Sequence, residues 1–223
     1  MQNQSMHFKQ RAAAAAADRA LQAKLGTAKA LFVTGRRRAV ADLDLEATRT
    51  ASQAIRDTCV ADLDLWLERF ETEATRRGAQ VLWARDGAEI CRLVIDIARR
   101  HGVKKAIKSK SMLSEEADLN AALEAAGVQP VETDLGEYIL QINDNELPSH
   151  IIAPAIHKTK EEVAELFERV HRKPRKTDIG QMTREAREEL RAHFLSAEMG
   201  ISGGNFLVAE TGSVALVTNE GNG

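Results

Sequence analysis

Cysteine, proline and aromatic residues are all scarce in this chain of 223 residues, and each shortage closes off a class of function. The two cysteines, Cys59 and Cys91, fall inside predicted helices and form no Cys-x-x-Cys pair. Two thiols cannot supply the four thiolates of an ordinary iron–sulfur cluster. They read as buried free thiols of a protein kept in a reducing, cytoplasmic compartment. Aromatics make up 4% of residues, too few for platforms on which nucleic-acid bases stack. The six histidines are scattered, with none of the His-x-x-x-His or His-Glu-x-x-His spacings that aim two rings at one metal, so no zinc site is expected. No run approaches the roughly 18 apolar residues of a membrane-spanning helix, so no membrane span is expected. An excess of one charge is missing too: the formal net charge is -2, and that balance asks for neither nucleic acid nor an anionic membrane.

What is present fits one sizeable domain with a helical extension, and a hydrophobic fraction of 43% is enough for a core. Residues 1–78 read as helical. The alanine run Ala12 to Ala17 is broken off by Asp18 and Arg19, too short and too weakly apolar for a secretory segment, and alanine is the best helix former. The basic run Arg36-Arg37-Arg38 reads as a solvated turn, because Asp42, Asp44 and Glu46 follow at once. Leu63, Trp66, Leu67 and Phe70 share one helical face, and Gly78 stops that helix.

Residues 79–223 read as an α/β domain. Ala79 to Ala84 looks like a strand, Asp86 and Glu89 start a helix that ends at Gly102, and Lys104 to Ser109 is a second strand. Ser114 reads as the cap of the next helix, which ends at Gly127, and Gln129 to Thr133 is a third strand. Successive β-helix-β units imply parallel strands with right-handed crossovers, hence a mostly parallel sheet flanked by helices. Tyr138 to Ile142 and His150 to Ala155 are short apolar stretches read as strands. Thr159 and Glu162 form a capping box ahead of Val163, Leu166, Phe167 and Val170; a helix over Thr183 to Met199 turns Ala186, Leu190, Phe194 and Ala197 inward. Two last strands, Phe206 to Ala209 and Val214 to Val217, close the chain.

Two polar clusters stand out as candidate ligand sites. Ser109, Lys110 and Ser111 follow a strand and precede a helix, where open α/β sheets take ligands. Lys110 would be the point charge for a phosphate or carboxylate, with the two hydroxyls as donors. Against this, Glu115 and Glu116 in the first helical turn repel an anion, and the plain alternative is a solvated, well-capped turn. The second cluster is Glu210, Thr211 and Gly212 at a strand end, with Asn205, Thr218, Asn219 and Glu220 as rim groups. A strand-end carboxylate is costly unless partnered, and the neighbouring glycine lets backbone N–H groups approach a ligand; the plain alternative is a hairpin with ordinary turn residues. His157 reads as a hydrogen-bonded structural residue, and Gly203-Gly204 is too common a pair to signal a phosphate loop.

Lys108-Ser-Lys-Ser-Met-Leu-Ser-Glu-Glu116 with Leu119-Asn120, and the tail Ile201-Ser-Gly-Gly-Asn-Phe…Ala209-Glu-Thr-Gly…Val217-Thr-Asn-Glu-Gly-Asn-Gly223, resemble hallmark stretches of the LUD-domain family. Ile152 to Thr159 and Asp178 to Thr183 resemble it as well, so the likeness covers nearly the whole chain. The resemblance implies a fold like that of the ribose-phosphate isomerase, glucosamine-phosphate deaminase and CoA-transferase superfamily. It also implies an oxidoreductase role: a subunit of a system that oxidises L-lactate to pyruvate, binding a small organic acid or other lactate-utilization subunits. Family members of this type continue into a ferredoxin-like region with cysteine motifs for [4Fe–4S] clusters, which this chain lacks. The chain is therefore expected to be an N-terminal portion, with electron transfer placed outside it. Other readings of the same residues are a stand-alone sugar-phosphate isomerase or CoA-transferase-like enzyme with Glu210 as a weak catalytic candidate, and a structural scaffold. The 109–111 turn and the 210–212 corner are expected to converge on one cavity.

Overall fold

The computed structural model describes residues 7–151, 153–218 and 220–223. The chain divides into two compact units: Met1–Ala14, Trp83–Gly203 and Val217–Gly223 form one, and Ala15–Leu82 with Gly204–Leu216 the other.

Four helices come first, α1 (Phe8–Ala17), α2 (Arg19–Ala39), α3 (Leu45–Ala61) and α4 (Leu63–Arg76). Asp18 and Asp44 start α2 and α3 by accepting the N–H groups of Leu21 and Ala47, each at 3.0 Å. Arg36 to Arg38 are not a turn: they form the last turn of α2, where cations meet the negative end of the helix dipole. The apolar stripe of α4 is only partly used, with Phe70 and Ala74 buried but Leu63 and Trp66 exposed. Gly78 ends the segment with φ of 91°, a conformation glycine adopts without strain. Cys59 is exposed on α3, against the expectation of burial, because α3 buries no residue.

In the larger unit α5 (Gly87–Arg100) leads into β1 (Lys105–Lys108). Helices α6 (Met112–Glu116) and α7 (Leu119–Ala125) carry the chain to β2 (Gln129–Glu132). Three more helices, α8 (Leu135–Ile142), α9 (Lys160–His171) and α10 (Ile179–Ser196), lead to β3 (Met199–Ile201). The strands are parallel in the order β2-β1-β3, with Lys108 beside Glu132 and Ile107 beside Gly200. Strand alternation sends Ala106 to a cluster with Ala98, Val103, Leu119 and Leu123, and Ile107 to one with Val131, Tyr138, Phe167 and Leu190. Helices thus cover both faces, as a parallel sheet requires. Pro130 sits in β2, which is an edge strand and so tolerates a missing N–H. Gln141 of α8 binds that edge through Glu132 N and Pro130 O, both at 3.0 Å.

The structure departs from the sequence reading at several points. Residues 79–84 form no strand. Tyr138 to Ile142 lies in α8 rather than a strand: Asp134 caps it by accepting from Gly136 N (3.1 Å) and Glu137 N (3.2 Å), and three successive residues, Tyr138 to Leu140, are buried. The His150–Ala155 stretch likewise contains no strand among its described residues, and Ile152 lies outside them. Ser111, not Ser114, caps α6. Phe194, expected inside, is exposed. The Thr159–Glu162 capping box is present.

Helices α8, α9 and α10 are joined by a buried polar chain. Tyr138 Oη meets His171 Nε2 at 3.0 Å, His171 Nδ1 meets Glu185 Oε1 at 2.8 Å, and Lys176 Nζ lies 2.9 Å from Glu185 Oε2. His157 is hydrogen-bonded as expected, between Glu146 (2.9 Å) and Ser149 (2.7 Å).

The smaller unit also holds an antiparallel hairpin of β4 (Phe206–Val208) and β5 (Ser213–Ala215). Gly212 turns it with φ of 64°, and a Cβ there would come within 2.6 Å of Ala74 Cα and Glu73 C. No other residue fits that contact with α4.

Candidate functional site

A cavity of about 310 Å³ opens at the carboxyl ends of β1 and β2. Its floor is Lys108 and Glu132, the last residues of two neighbouring strands that the register sets side by side. Lys108 is 1% exposed, and its Nζ lies 2.8 Å from Glu132 Oε1 and 3.2 Å from Ser114 Oγ. Asn120 Nδ2 donates to the same Glu132 oxygen at 2.7 Å. Burial pushes the Glu132 carboxyl above the usual range, and Lys108 and Asn120 only partly offset it. The second Glu132 oxygen and Asn120 Oδ1 are buried without a protein donor.

A second charge system lies beside the first. Lys110 Nζ binds Glu137 Oε1 at 2.5 Å, and Glu115 hydrogen-bonds Glu137. With both carboxyls ionised, Glu115 Oε1 and Glu137 Oε2 would each be buried without a donor; one shared proton satisfies both. Burial, and then the bond and charge of Glu137, raise Glu115 to about 7. Burial works to raise Glu137 too, but the bonds from Glu115 and Lys110 and the charges of Lys110 and Lys108 outweigh it and hold it below the usual range. For Lys110, the bond and charge of Glu137 overcome burial and raise it. Two adjacent carboxyls with opposite shifts can hold and release a proton near neutral pH.

The residues singled out from sequence divide between the units. Ser109 is buried at the end of β1, its Oγ 2.8 Å from Ser202 Oγ; Lys110 pairs with Glu137, and Ser111 caps α6. Thr218 accepts from Gly221 N at 3.0 Å and donates to Asn222 Oδ1 at 3.0 Å. Glu220 Oε2 accepts from Leu135 N at 3.0 Å, at the start of α8; burial raises this carboxyl. These residues belong to the larger unit. Asn205, Glu210, Thr211 and Gly212 belong to the hairpin of the smaller one, with Glu210 exposed in the turn and Thr211 Oγ1 2.9 Å from Ser213 Oγ. Asn219 lies outside the described residues.

The sequence reading missed Lys108, Glu132, Asn120 and Glu137, and treated Glu115 only as a helix-dipole partner. The available signal was a charged residue ending each of two apolar strands, Lys108 after Ala106-Ile107 and Glu132 after Val131. Among the described residues no group of His, Cys, Asp or Glu is arranged to hold a metal ion. Nor do the residues present fit an iron–sulfur cluster, because the only two thiols lie in different units.

A small parallel α/β unit with paired lysine–carboxylate systems at its strand ends is what this chain provides, and the chain belongs to the LUD domain family, which matches residues 67–223. Among its relatives, the "Lactate utilization protein B" of Geobacillus kaustophilus (strain HTA426) is 45% identical over 79% of this chain and 37% of that protein. The protein of the same name from Bacillus subtilis (strain 168) is 44% identical over 80% of this chain and 37% of its own length. That of Lysinibacillus sphaericus (strain C3-41) is 38% identical over 100% of this chain and 47% of its own length. The chain thus spans less than half the length of these relatives. No solved structure matches it.

Proposed function

We propose that this chain is the LUD domain of an iron–sulfur subunit in a system that oxidises L-lactate to pyruvate. The carrying observation is the end-to-end likeness to a protein named for lactate utilization, 38% identical over the whole of this chain. In this reading the domain binds a small organic acid or another lactate-utilization subunit in the cytoplasm. Electrons pass through [4Fe–4S] clusters held outside these residues. Three parallel strands with helical crossovers support a fold of the sugar-phosphate isomerase and CoA-transferase kind. Ser109, Lys110 and Ser111 stand at the carboxyl end of β1, where such sheets take ligands, and an incoming carboxylate would compete with Glu137 for Lys110. Among the described residues no helix is long and apolar enough to cross a membrane.

The test is genetic and biochemical. Deleting the gene from its own organism should abolish growth on L-lactate as sole carbon source and spare growth on pyruvate, and the restored gene should recover it. Undiminished oxidation of L-lactate by extracts of the deletion strain overturns the reading.

A further inference from the structure

The cavity above β1 and β2 presents acceptors where a ligand must supply donors. Glu132 is 6% exposed; Lys108 and Asn120 share one of its oxygens, while Oε2 and the neighbouring Asn120 Oδ1 have no protein donor. Buried oxygens of this kind require a partner. The surrounding wall is acidic, with Glu115, Asp118, Glu124, Glu137 and Glu146 on it. The one lysine that lines it, Lys108, is committed to Glu132 and Ser114. An anion entering here would meet carboxylates without a free cation. The lining also carries apolar side chains, Leu119, Leu140, Leu147 and Pro148. Its volume, about 310 Å³, is that of a compact small-molecule site.

We propose that this cavity binds a small primary ammonium ion, its N–H groups on Glu132 Oε2 and Asn120 Oδ1 and its alkyl body along Leu119, Leu140 and Leu147. Ser109, Lys110 and Ser111 do not line this cavity, although Glu137, the partner of Lys110, does; the acceptors proposed for the ammonium ion are distinct from the groups proposed for the organic acid. The charge of the ligand matches the wall, its donors match the two orphaned oxygens, and its hydrocarbon matches the leucines.

Calorimetric titration of the purified chain at low salt with n-pentylammonium chloride, sodium pentanoate and 1-pentanol tests it. Pentylammonium should bind one to one, at least tenfold more tightly than pentanol, with no detectable binding of pentanoate. Glu132→Gln should weaken pentylammonium at least tenfold. Because that change also leaves Lys108 without its carboxylate, Leu147→Trp is the second variant: it fills the exposed rim, spares the ion pair and should weaken binding to the same extent. Absence of pentylammonium binding, equal binding of pentanol or pentanoate, or unchanged affinity in folded Leu147→Trp overturns the proposal.

Discussion

Replacing Glu115 by Gln should make the protein more stable at pH 8 and leave it nearly unchanged at pH 5. The carboxyl is raised in the folded state, from 4.5 to about 7, by burial and by Glu137. The folded protein therefore holds a proton that the unfolded chain has released, so this group's contribution is fully present below the unfolded value and is lost as pH rises through about 7. Such a rise corresponds to about 3.4 kcal/mol in full, and for a half-exposed carboxyl solvent screening reduces that to about 1.5 kcal/mol. Gln keeps an N–H donor toward Glu137 at every pH and never acquires the charge. Urea unfolding followed by far-UV circular dichroism at pH 5, 6, 7 and 8 reads the effect. The midpoint difference between variant and wild type should open from near zero to about 0.7 M, taking a slope of about 2 kcal/mol/M. A difference that stays flat with pH, or a variant less stable than wild type at pH 8, refutes the shared proton.

Three further outcomes are expected. Lys108→Met strands Glu132 in a buried site and should cost about 3–5 kcal/mol, most of it recovered in the Lys108→Met/Glu132→Leu pair; chemical denaturation of both checks this. Glu185 is held below the usual carboxylate range: burial opposes ionisation, but the bonds from His171 and Lys176 prevail. Its contribution is present above the unfolded value of 4.5 and lost as pH falls through the lower folded one, so Glu185→Gln should cost about 1–3 kcal/mol at pH 7 and progressively less as an acid titration passes below 4.5. Gly212→Ala places a Cβ against Ala74 and Glu73 at a positive φ. It should cost about 2–4 kcal/mol and speed proteolysis within residues 204–216.

The larger unit was legible where local chemistry and tertiary need agree. Lys104 to Ser109 and Gln129 to Thr133 contain β1 and β2, and the Thr159–Glu162 box marks the start of α9, because alternation and capping are written in adjacent residues. Legibility failed where a segment's state depends on what lies beside it. Ala79 to Ala84 has strand-like composition but joins no sheet, and Met199–Ile201 is too short to announce itself as β3. The site shows the same division. The polar groups of the Lys108–Glu116 segment are adjacent in sequence, yet they work only with Glu132 and Glu137, which strand register and the α8 turn bring to them. Periodicity alone also assigned Phe194 to the interior, where the structure leaves it exposed.

The order β2-β1-β3 has a consequence for synthesis of the chain. Strand β1 gains its first neighbour after one short crossover, but its other flank is completed only when β3 emerges; Lys104 and Glu198, which bond across that junction, are 94 residues apart. At translation speeds of about 5–20 residues per second, that flank stays uncovered on the ribosome for several seconds. A bare strand edge is a template for pairing with another nascent chain, and Lys105 at the start of β1 is of the residue type that discourages it.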